Sequence, residues 1–402
     1  MNKFVACLLG AILGVTSVSA ADQENAYVAS RNAFSFSLIN ALGAPQGNIC
    51  ISPFNISSAL ELAYFGAEDG TKAGISSTLS LPMIGDKALT EEIKRCDQFL
   101  GGSVINARAL AIDSSFMPAD SYLQIVKEGL DADAFEVNFK KRPVEACESI
   151  NSWAAKMTQG RITKLLEPSN VSEATKLVLL SSIYIKSNWA VPFEANQTHD
   201  AAFKTITGAE KTVNMMQQTK NMRLFQNDQV QVVWRDLVQK NTNDARLEVM
   251  FVVPQNADAL KSVAQNLSAD QLAAWDKQAT DEFVQFFLPK CSVRQRLSVK
   301  NPLIDLGMNQ AFSTAANFSA LSPKNDLMID DVLHAAFMQL NETGIEAAAA
   351  TGVVMTTRSI KMPAKDPIVV RCDKPFYVLI KEKSTGLVLF VSLIATPELV
   401  EK

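Results

Sequence analysis

Histidine is nearly absent: the 402 residues contain two, His199 and His334. A Ser/His/Asp hydrolase needs an imidazole held between nucleophile and carboxylate. Neither histidine has a G-x-S-x-G elbow, an H-E-x-x-H pair, a phosphate-binding glycine loop or metal-ligand spacing around it. Carboxylates are scattered, and nothing singles out one acid–base pair. The sequence therefore argues against an enzyme and implies neither a metal nor a cofactor. Cysteine is sparse as well, six in all, irregularly spaced and without C-x-x-C. That excludes a zinc site or a disulfide framework. Tight basic clusters are missing except for Lys140-Lys141-Arg142, which reads as a solvated surface turn. With a net charge of −4 and the two signs well mixed, no nucleic-acid partner is indicated. Internal repeats, low-complexity tracts and Pro/Gly-rich linkers are also lacking, so one large domain is expected over residues 21–402.

The first twenty residues stand apart. Lys3 is their only charge, Phe4 to Val15 is largely apolar, and Val18-Ser19-Ala20 offers a small-residue cleavage site. This reads as a secretory signal peptide, too short to span a membrane, with cleavage expected after Ala20. No later run approaches 18 apolar residues, so no membrane association is expected of the rest, which should be secreted. Cys7 would leave with the leader. The other five, Cys50, Cys96, Cys147, Cys291 and Cys372, are odd in number, so at least one thiol is free or pairs between chains. In strand-like surroundings, as at Cys50, Cys291 and Cys372, a buried thiol acts as a small hydrophobe. Glycosylation acceptors are Asn170, Asn196, Asn266 and Asn317; the sequons at Asn55 and Asn341 are weaker candidates. Asn55 falls in a buried helix start, and Asn341 borders the stretch that matters most.

That stretch runs N-E-T-G-I-E-A-A-A-A-T-G-V-V-M-T-T-R-S-I, from Asn341 to Ile360. Thr343-x-x-Glu346 is a capping-box pattern, alanine favours helix, and Gly352 would stop it. A short exposed helix is one reading. Yet the Ala347–Ala350 run has no apolar stripe, and a helix under about 12 residues is marginal without docking. The other reading is a segment that lives either as a solvated loop or as a strand inside a sheet. Its alternate residues Ile345, Ala347, Ala349 and Thr351 would then be buried. The residues alone leave both open.

Elsewhere the periodicities are plain. Residues 25–42 carry Phe34, Leu38, Ala41 and Leu42 at helical spacing. Ser52-Pro53 starts a helix whose buried face is Ile56, Ala59, Leu60 and Ala63, ending at Gly66. Residues 144–159 form another helix, with Ile150, Trp153, Ala154 and Met157 on one side. Leu177–Lys186, Leu247–Pro254, Phe283–Leu288, Pro375–Lys381 and Leu387–Ile394 read as buried strands.

The hinge-like run Glu342, Gly344, Glu346, Ala347, Ala348, Ala349, Ala350, Thr351 resembles the reactive-centre hinge of the serpins, E-x-G-T-E-A-A-A-A-T. Ile345 replaces the usual Thr or Ser. The segment N-I-C-I-S-P-F-N-I resembles the serpin start, with Asn55 where the family has Ser. Asn151, Trp153, Thr158, Gly160, Ile162, Leu165 and Leu166 match N-x-W-x-x-x-x-T-x-G-x-I-x-x-L-L. Ser181 takes the place of a family Asn, and Val370 that of the Phe in the closing signature around Asp373-Lys374-Pro375-Phe376. The likeness covers residues 25–397. It implies an α+β serpin fold, with helices packed around three β-sheets and a reactive-centre loop, about residues 342–366, exposed above a large central sheet. Sixteen residues beyond Glu342 the count reaches Arg358, followed by Ser359, which the resemblance makes the reactive bond; Lys361 is the next basic residue. The resemblance further implies a shutter cluster at Ser52, Asn55, Ser181 and His334. The expected activity is suicide inhibition of a trypsin-like serine protease by a monomer that forms a covalent complex. The alternative is a non-inhibitory carrier or storage protein. Heparin activation is not supported, because Glu91-Glu92-Ile93-Lys94-Arg95 mixes charges where polyanion-activated members have a basic helix.

Overall fold

The computed structural model describes residues 20–43, 46–238, 246–323, 327–346 and 366–398. Residues up to Ser19 of the expected signal peptide, hinge residues Ala347–Thr351, the Arg358-Ser359 bond and Lys361 lie outside them.

Nine α-helices occur among the described residues: α1 Ala20–Ala41, α2 Pro53–Gly66, α3 Asp69–Thr78, α4 Asp86–Leu100, α5 Asp120–Gln124, α6 Pro143–Met157, α7 Ala257–Asn266, α8 Ala269–Gln278 and α9 Lys300–Asp305. The strands are β1 Ile49–Ile51, β2 Val104–Asp113, β3 Asp133–Val137, β4 Leu177–Ile185, β5 Ser187–Trp189, β6 His199–Lys204, β7 Glu210–Gln226, β8 Val230–Val238, β9 Leu247–Pro254, β10 Thr280–Pro289, β11 Cys291–Ser298, β12 Asp331–Leu340, β13 Gly344–Ile345, β14 Ile368–Arg371, β15 Phe376–Glu382 and β16 Val388–Ile394.

Hydrogen bonds link all sixteen strands into one curled, mixed network rather than three separate sheets. Three regions can still be told apart. A large central one runs β11-β12-β4-β2-β3, a second joins β6, β7, β10 and β14, and a third runs β1-β16-β15-β9-β8. Connections through β5, β13 and the long β7 merge them, because a strand of 17 residues twists far enough to pair in two regions.

The centre is α2. Ser52 caps it, accepting from the Asn55 N–H, Pro53 opens the first turn, and all fourteen residues are buried. Such a helix reads apolar all round because it is covered on every side. It lies against α1, β2, β4 and β16. Its one acid, Glu61, is fully buried but pairs with Arg31 of α1 and accepts from Tyr27 Oη at 2.6 Å.

The two faces of β4 enter different clusters. Leu177, Leu179, Ile183 and Ile185 join the main core around α2, while Val178 and Leu180 pack under Trp153 and Ile150 of α6. A third cluster holds α7 and α8 against β8, β9, β15 and β16. Among the described residues all five cysteines are buried and unpaired, as the strand-like settings of Cys50, Cys291 and Cys372 suggested. No described helix is long and apolar enough to cross a membrane.

Candidate functional site: the hinge and the polar cluster beneath it

The central sheet is where the chain can change state. Strands β4 and β12 run parallel, pairing from Asp331↔Val178 to Phe337↔Tyr184. Beyond that point β12 continues to Leu340 and β4 gives way to β5, so the two part and leave a slot. The chain turns at Asn341–Thr343 and comes back down the slot as β13. Gly344 pairs antiparallel with Asn188, and Ile345 with both Ser187 and Leu340.

Local chemistry makes the turn. Asn341 Oδ1 accepts from the N–H groups of Thr343 (2.9 Å) and Gly344 (3.0 Å) and from Thr343 Oγ1 (2.7 Å). The capping-box helix that Thr343 and Glu346 suggested therefore does not start here; the nearer Asn341 wins those donors. Trp189 and Phe193 hold the turn from outside. The Trp189 N–H and indole N–H donate to the carbonyls of Thr343 and Asn341, both at 2.9 Å. The Phe193 N–H donates to the Glu342 carbonyl at 2.9 Å. Glycine is required at 344, since a Cβ would lie 2.1 Å from the Ser187 carbonyl oxygen and 2.7 Å from Asn188 Cα.

The expected exposed loop thus begins inside the sheet. Ile345 is fully buried among the main-core residues, so the bulk that replaces the family hydroxyl finds room. Glu346, at φ 45°, is buried too and ion-pairs with Arg161 in the turn after α6. Burial lifts its pKa above the ordinary carboxylate range, against the pull of Arg161. Glu342 behaves oppositely. Burial would raise it, but Lys290 at 3.0 Å and Thr198 Oγ1, also at 3.0 Å, hold it below. Neither Lys290, Arg161 nor Asn341 stood out as a partner in the sequence; only pairing across 52 to 185 positions brings the two cations in.

Below the slot lie Ser52, Asn55, Ser181 and His334, all fully buried and in contact. His334 and Ser181 face each other across β12 and β4. The Ser52 backbone N–H donates to His334 Nε2 at 3.0 Å, which places the proton of the neutral ring on Nδ1. Nδ1 lies 2.6 Å from Ser181 Oγ, and that hydroxyl donates to Asn55 Oδ1 at 2.8 Å. The Asn55 amide donates in turn to Asn106 Oδ1 (2.7 Å) and the Ala107 carbonyl (2.9 Å). Burial pushes the His334 pKa from 6.5 down to about 3, so the ring is neutral. The two positions that depart from the serpin pattern, Asn55 and Ser181, touch each other. Amide and hydroxyl have traded places, and the relay closes.

Of the sequon asparagines, Asn170, Asn196 and Asn266 are exposed, whereas Asn317 is half-buried and its amide donates to Asp69 Oδ2 at 2.9 Å. Asn55 is enclosed in the core. His199 is exposed, with its ring near the Gln197 carbonyl and edge-on to the Phe287 ring. In α4, Arg95 is engaged by Glu92 (3.2 Å) and Glu24 (3.3 Å).

Comparison with known proteins agrees with this architecture. The model of the serpin (serine protease inhibitor) family matches residues 29–397. A serine protease inhibitor of Cyanea capillata is 33% identical over 92% of this chain and 98% of its own length. The leukocyte elastase inhibitor of Bos taurus is 30% identical over 88% and 94%. Among solved structures, human thyroxine-binding globulin complexed with its hormone superposes with a TM-score of 0.83 at 24% identity, covering 93% of this chain and 99% of that one. Uncleaved ovalbumin gives 0.80 at 24% identity over 92% and 100%. The chain belongs to the serpin family.

Proposed function

We propose that the protein is a secreted suicide inhibitor of trypsin-like serine proteases, cleaved between Arg358 and Ser359. A trypsin-like pocket carries a carboxylate, which accepts the Arg358 guanidinium. Attack would leave an acyl-enzyme on the protease serine, and the freed hinge would slide into the central sheet, carrying the protease away before water releases it. Strand insertion of this kind is sheet augmentation driven by the release of stored strain.

One observation carries the reading: Gly344 and Ile345 already run antiparallel between Leu340 and Ser187, aligned for more strand to follow. Continuing both registers gives the same answer. Stepping six residues from Leu340↔Ile345 pairs His334 with Thr351, and six from Ser187↔Ile345 pairs Ser181 with Thr351. Everything that would enter before it is alanine apart from Glu346, so no unpaired charge need be buried in the slot beyond that residue.

Incubation with trypsin tests it. We expect a covalent band that survives denaturing electrophoresis and a released peptide beginning at Ser359. Cleavage without that band would demote the protein to a substrate. The carrier reading has its own observation, a groove of about 1150 Å³ lined by Asn40, Ile206, Leu260 and Ala264, with Lys204, Lys261 and Lys374 around it. A carrier would show no gain in thermal stability after loop cleavage.

A further inference from the structure

A second cavity, of about 330 Å³, lies on β8, on the far side of Trp189 and Phe193 from the hinge turn they hold. It exists because β8 loses a neighbour along one edge. Strand β7 pairs with it only from Gln231 to Val233, and β5 only at Leu237 and Val238. Between them Trp234 and Arg235 face a gap in the sheet. Both are only 5% exposed, and both carry a donor without an acceptor among the described residues, Trp234 Nε1 and Arg235 Nη1. Arg235 is held in place: Nη2 donates to the Val191 carbonyl, and Cζ sits 4.1 Å from the Phe193 ring centre and 5.0 Å from that of Trp189.

The charges around the gap do not balance. Lys383 pairs with Asp236 at 2.8 Å, and Arg223 with Glu248 at 3.3 Å and with Asp276. Lys220 and Arg235 have no carboxylate partner among the described residues, and the remaining acid of the wall, Asp281, is exposed. Burial lowers Lys220 to about 8, with repulsion from Arg235 outweighing attraction to the Lys383-paired Asp236, and burial lowers Arg235 to about 9. A buried cation without a counter-charge costs several kcal/mol in general, and a bound anion would remove that penalty.

We propose that this gap binds a small tetrahedral oxyanion, phosphate or sulfate, free or as the head of a small ester. Adjacent residues of a strand project to opposite faces, so Trp234 and Arg235 reach the gap from two sides. A tetrahedral anion offers oxygens out of any one plane, more than the two coplanar oxygens of a carboxylate, and guanidinium with oxyanion is the strong class of hydrogen bond. The volume is that of about ten liquid-water molecules at roughly 30 Å³ each. That leaves room for an organic group beyond the anion.

The indoles of Trp234 and Trp189 report on the site. Titration of the full chain with inorganic phosphate, sulfate, phenyl phosphate and acetate, at ionic strength fixed with chloride, is followed by tryptophan fluorescence and melting temperature. We expect a saturable response and a raised melting point with phosphate or sulfate but not with acetate. Losing one charge-assisted contact should weaken binding about tenfold or more, so Lys220→Gln and Arg235→Gln should each show that loss. Lys220 is half-buried at the rim, so its variant should fold even where Arg235→Gln does not. Tighter binding of phenyl phosphate than of inorganic phosphate would identify an ester as the ligand; the reverse would identify the free ion. No saturable response to either small anion, an undiminished response in Lys220→Gln, or a response only to a long sulfated polysaccharide would each overturn the proposal.

Discussion

His334 shows what one buried ring can do. Its Nε2 is committed to the Ser52 N–H and its Nδ1 to Ser181, so a second proton would have to break the first of these bonds. The folded pKa is depressed to about 3 from 6.5. Between those values the unfolded chain holds a proton that the folded one lacks. The site's contribution to stability is therefore complete above pH 6.5 and erodes as the pH falls, by about 1.4 kcal/mol per pH unit. Replacing His334 by Ala should leave buried groups unpaired and lower stability at neutral pH by about 1–3 kcal/mol. It should also flatten the dependence of unfolding free energy on pH between 6 and 4 by about one proton. Denaturant unfolding at several pH values measures both effects, and equal slopes for the two proteins would rule the account out. Because His334 also ties β12 to β4, the variant should polymerise on warming, visible by size exclusion; a monomer with an unchanged melting point would contradict this.

At the scale of elements, the exchange at Asn55 and Ser181 makes a sharper prediction, because it joins the start of α2 to the middle of β4. Asn55→Ser removes the acceptor of the Ser181 hydroxyl and the donor to Asn106 and Ala107. Ser181→Asn crowds a fully buried position 2.6 Å from His334. Each change alone should cost about 1–3 kcal/mol. The double variant restores one amide and one hydroxyl in contact, so a double-mutant cycle should show coupling of at least about 1 kcal/mol. Simple additivity would mean the two positions do not act as one unit. Gly344 is tested the same way. A Cβ 2.1 Å from the Ser187 carbonyl cannot be accommodated, so Gly344→Ala should keep β13 out of the slot. The amides of Ile345 and Glu346 should then lose hydrogen-exchange protection while those of β12 keep theirs. Retained protection at both amides would show that the slot can widen.

The elements themselves were legible because short-range patterns fix them. Ser52-Pro53 and Gly66 bound α2 where the cap and stop residues put it, and Leu247–Pro254 is β9 to the residue. The polar cluster was legible only as far as its membership. The resemblance put both departures in one cluster, but nothing in a linear chain says that these two positions, 126 apart, bond directly to each other. The state of the hinge was not legible at all. Thr343-x-x-Glu346 satisfies a helix cap locally, and what decides against it is the turn at Asn341 together with the backbone of β5, which meets the hinge across 154 to 158 positions, from Trp189–Thr343 to Ser187–Ile345. Likewise the gap on β8 arises from where β7 stops pairing, a property of sheet register and not of local composition.

For the molecule as a whole, the arrangement stores a difference between two sheets. In the described state β4 and β12 pair parallel over seven residues with nothing between them. A strand entering from β13 would replace that one parallel ladder by two antiparallel ones, and antiparallel pairing is the more stable per residue. On the proposed mechanism the restraints are the Ser181–His334 contact at 2.6 Å and the tether that an uncut chain makes between β13 and β14, which pairs with β10. Cutting at Arg358-Ser359 removes the tether. If Ala347–Thr351 then enter, each residue adds backbone hydrogen bonds worth about 1 kcal/mol net on both edges, and after the displaced part of the parallel ladder is subtracted the gain is on the order of 5 kcal/mol. For a chain of this size about 1–2 °C accompanies each kcal/mol, so the nicked protein should melt about 5–10 °C above the intact one. Differential scanning calorimetry before and after limited proteolysis, with cleavage located by sequencing the released peptide, measures it. A second sample carrying Thr351→Arg should be cleaved at the same bond yet gain little, because that residue would reach the level of His334 and bring a charge into the core. If intact and nicked forms melt together, β13 is a static end to β12, the sheet holds no reserve, and the protein works with its loop uninserted, as a carrier would.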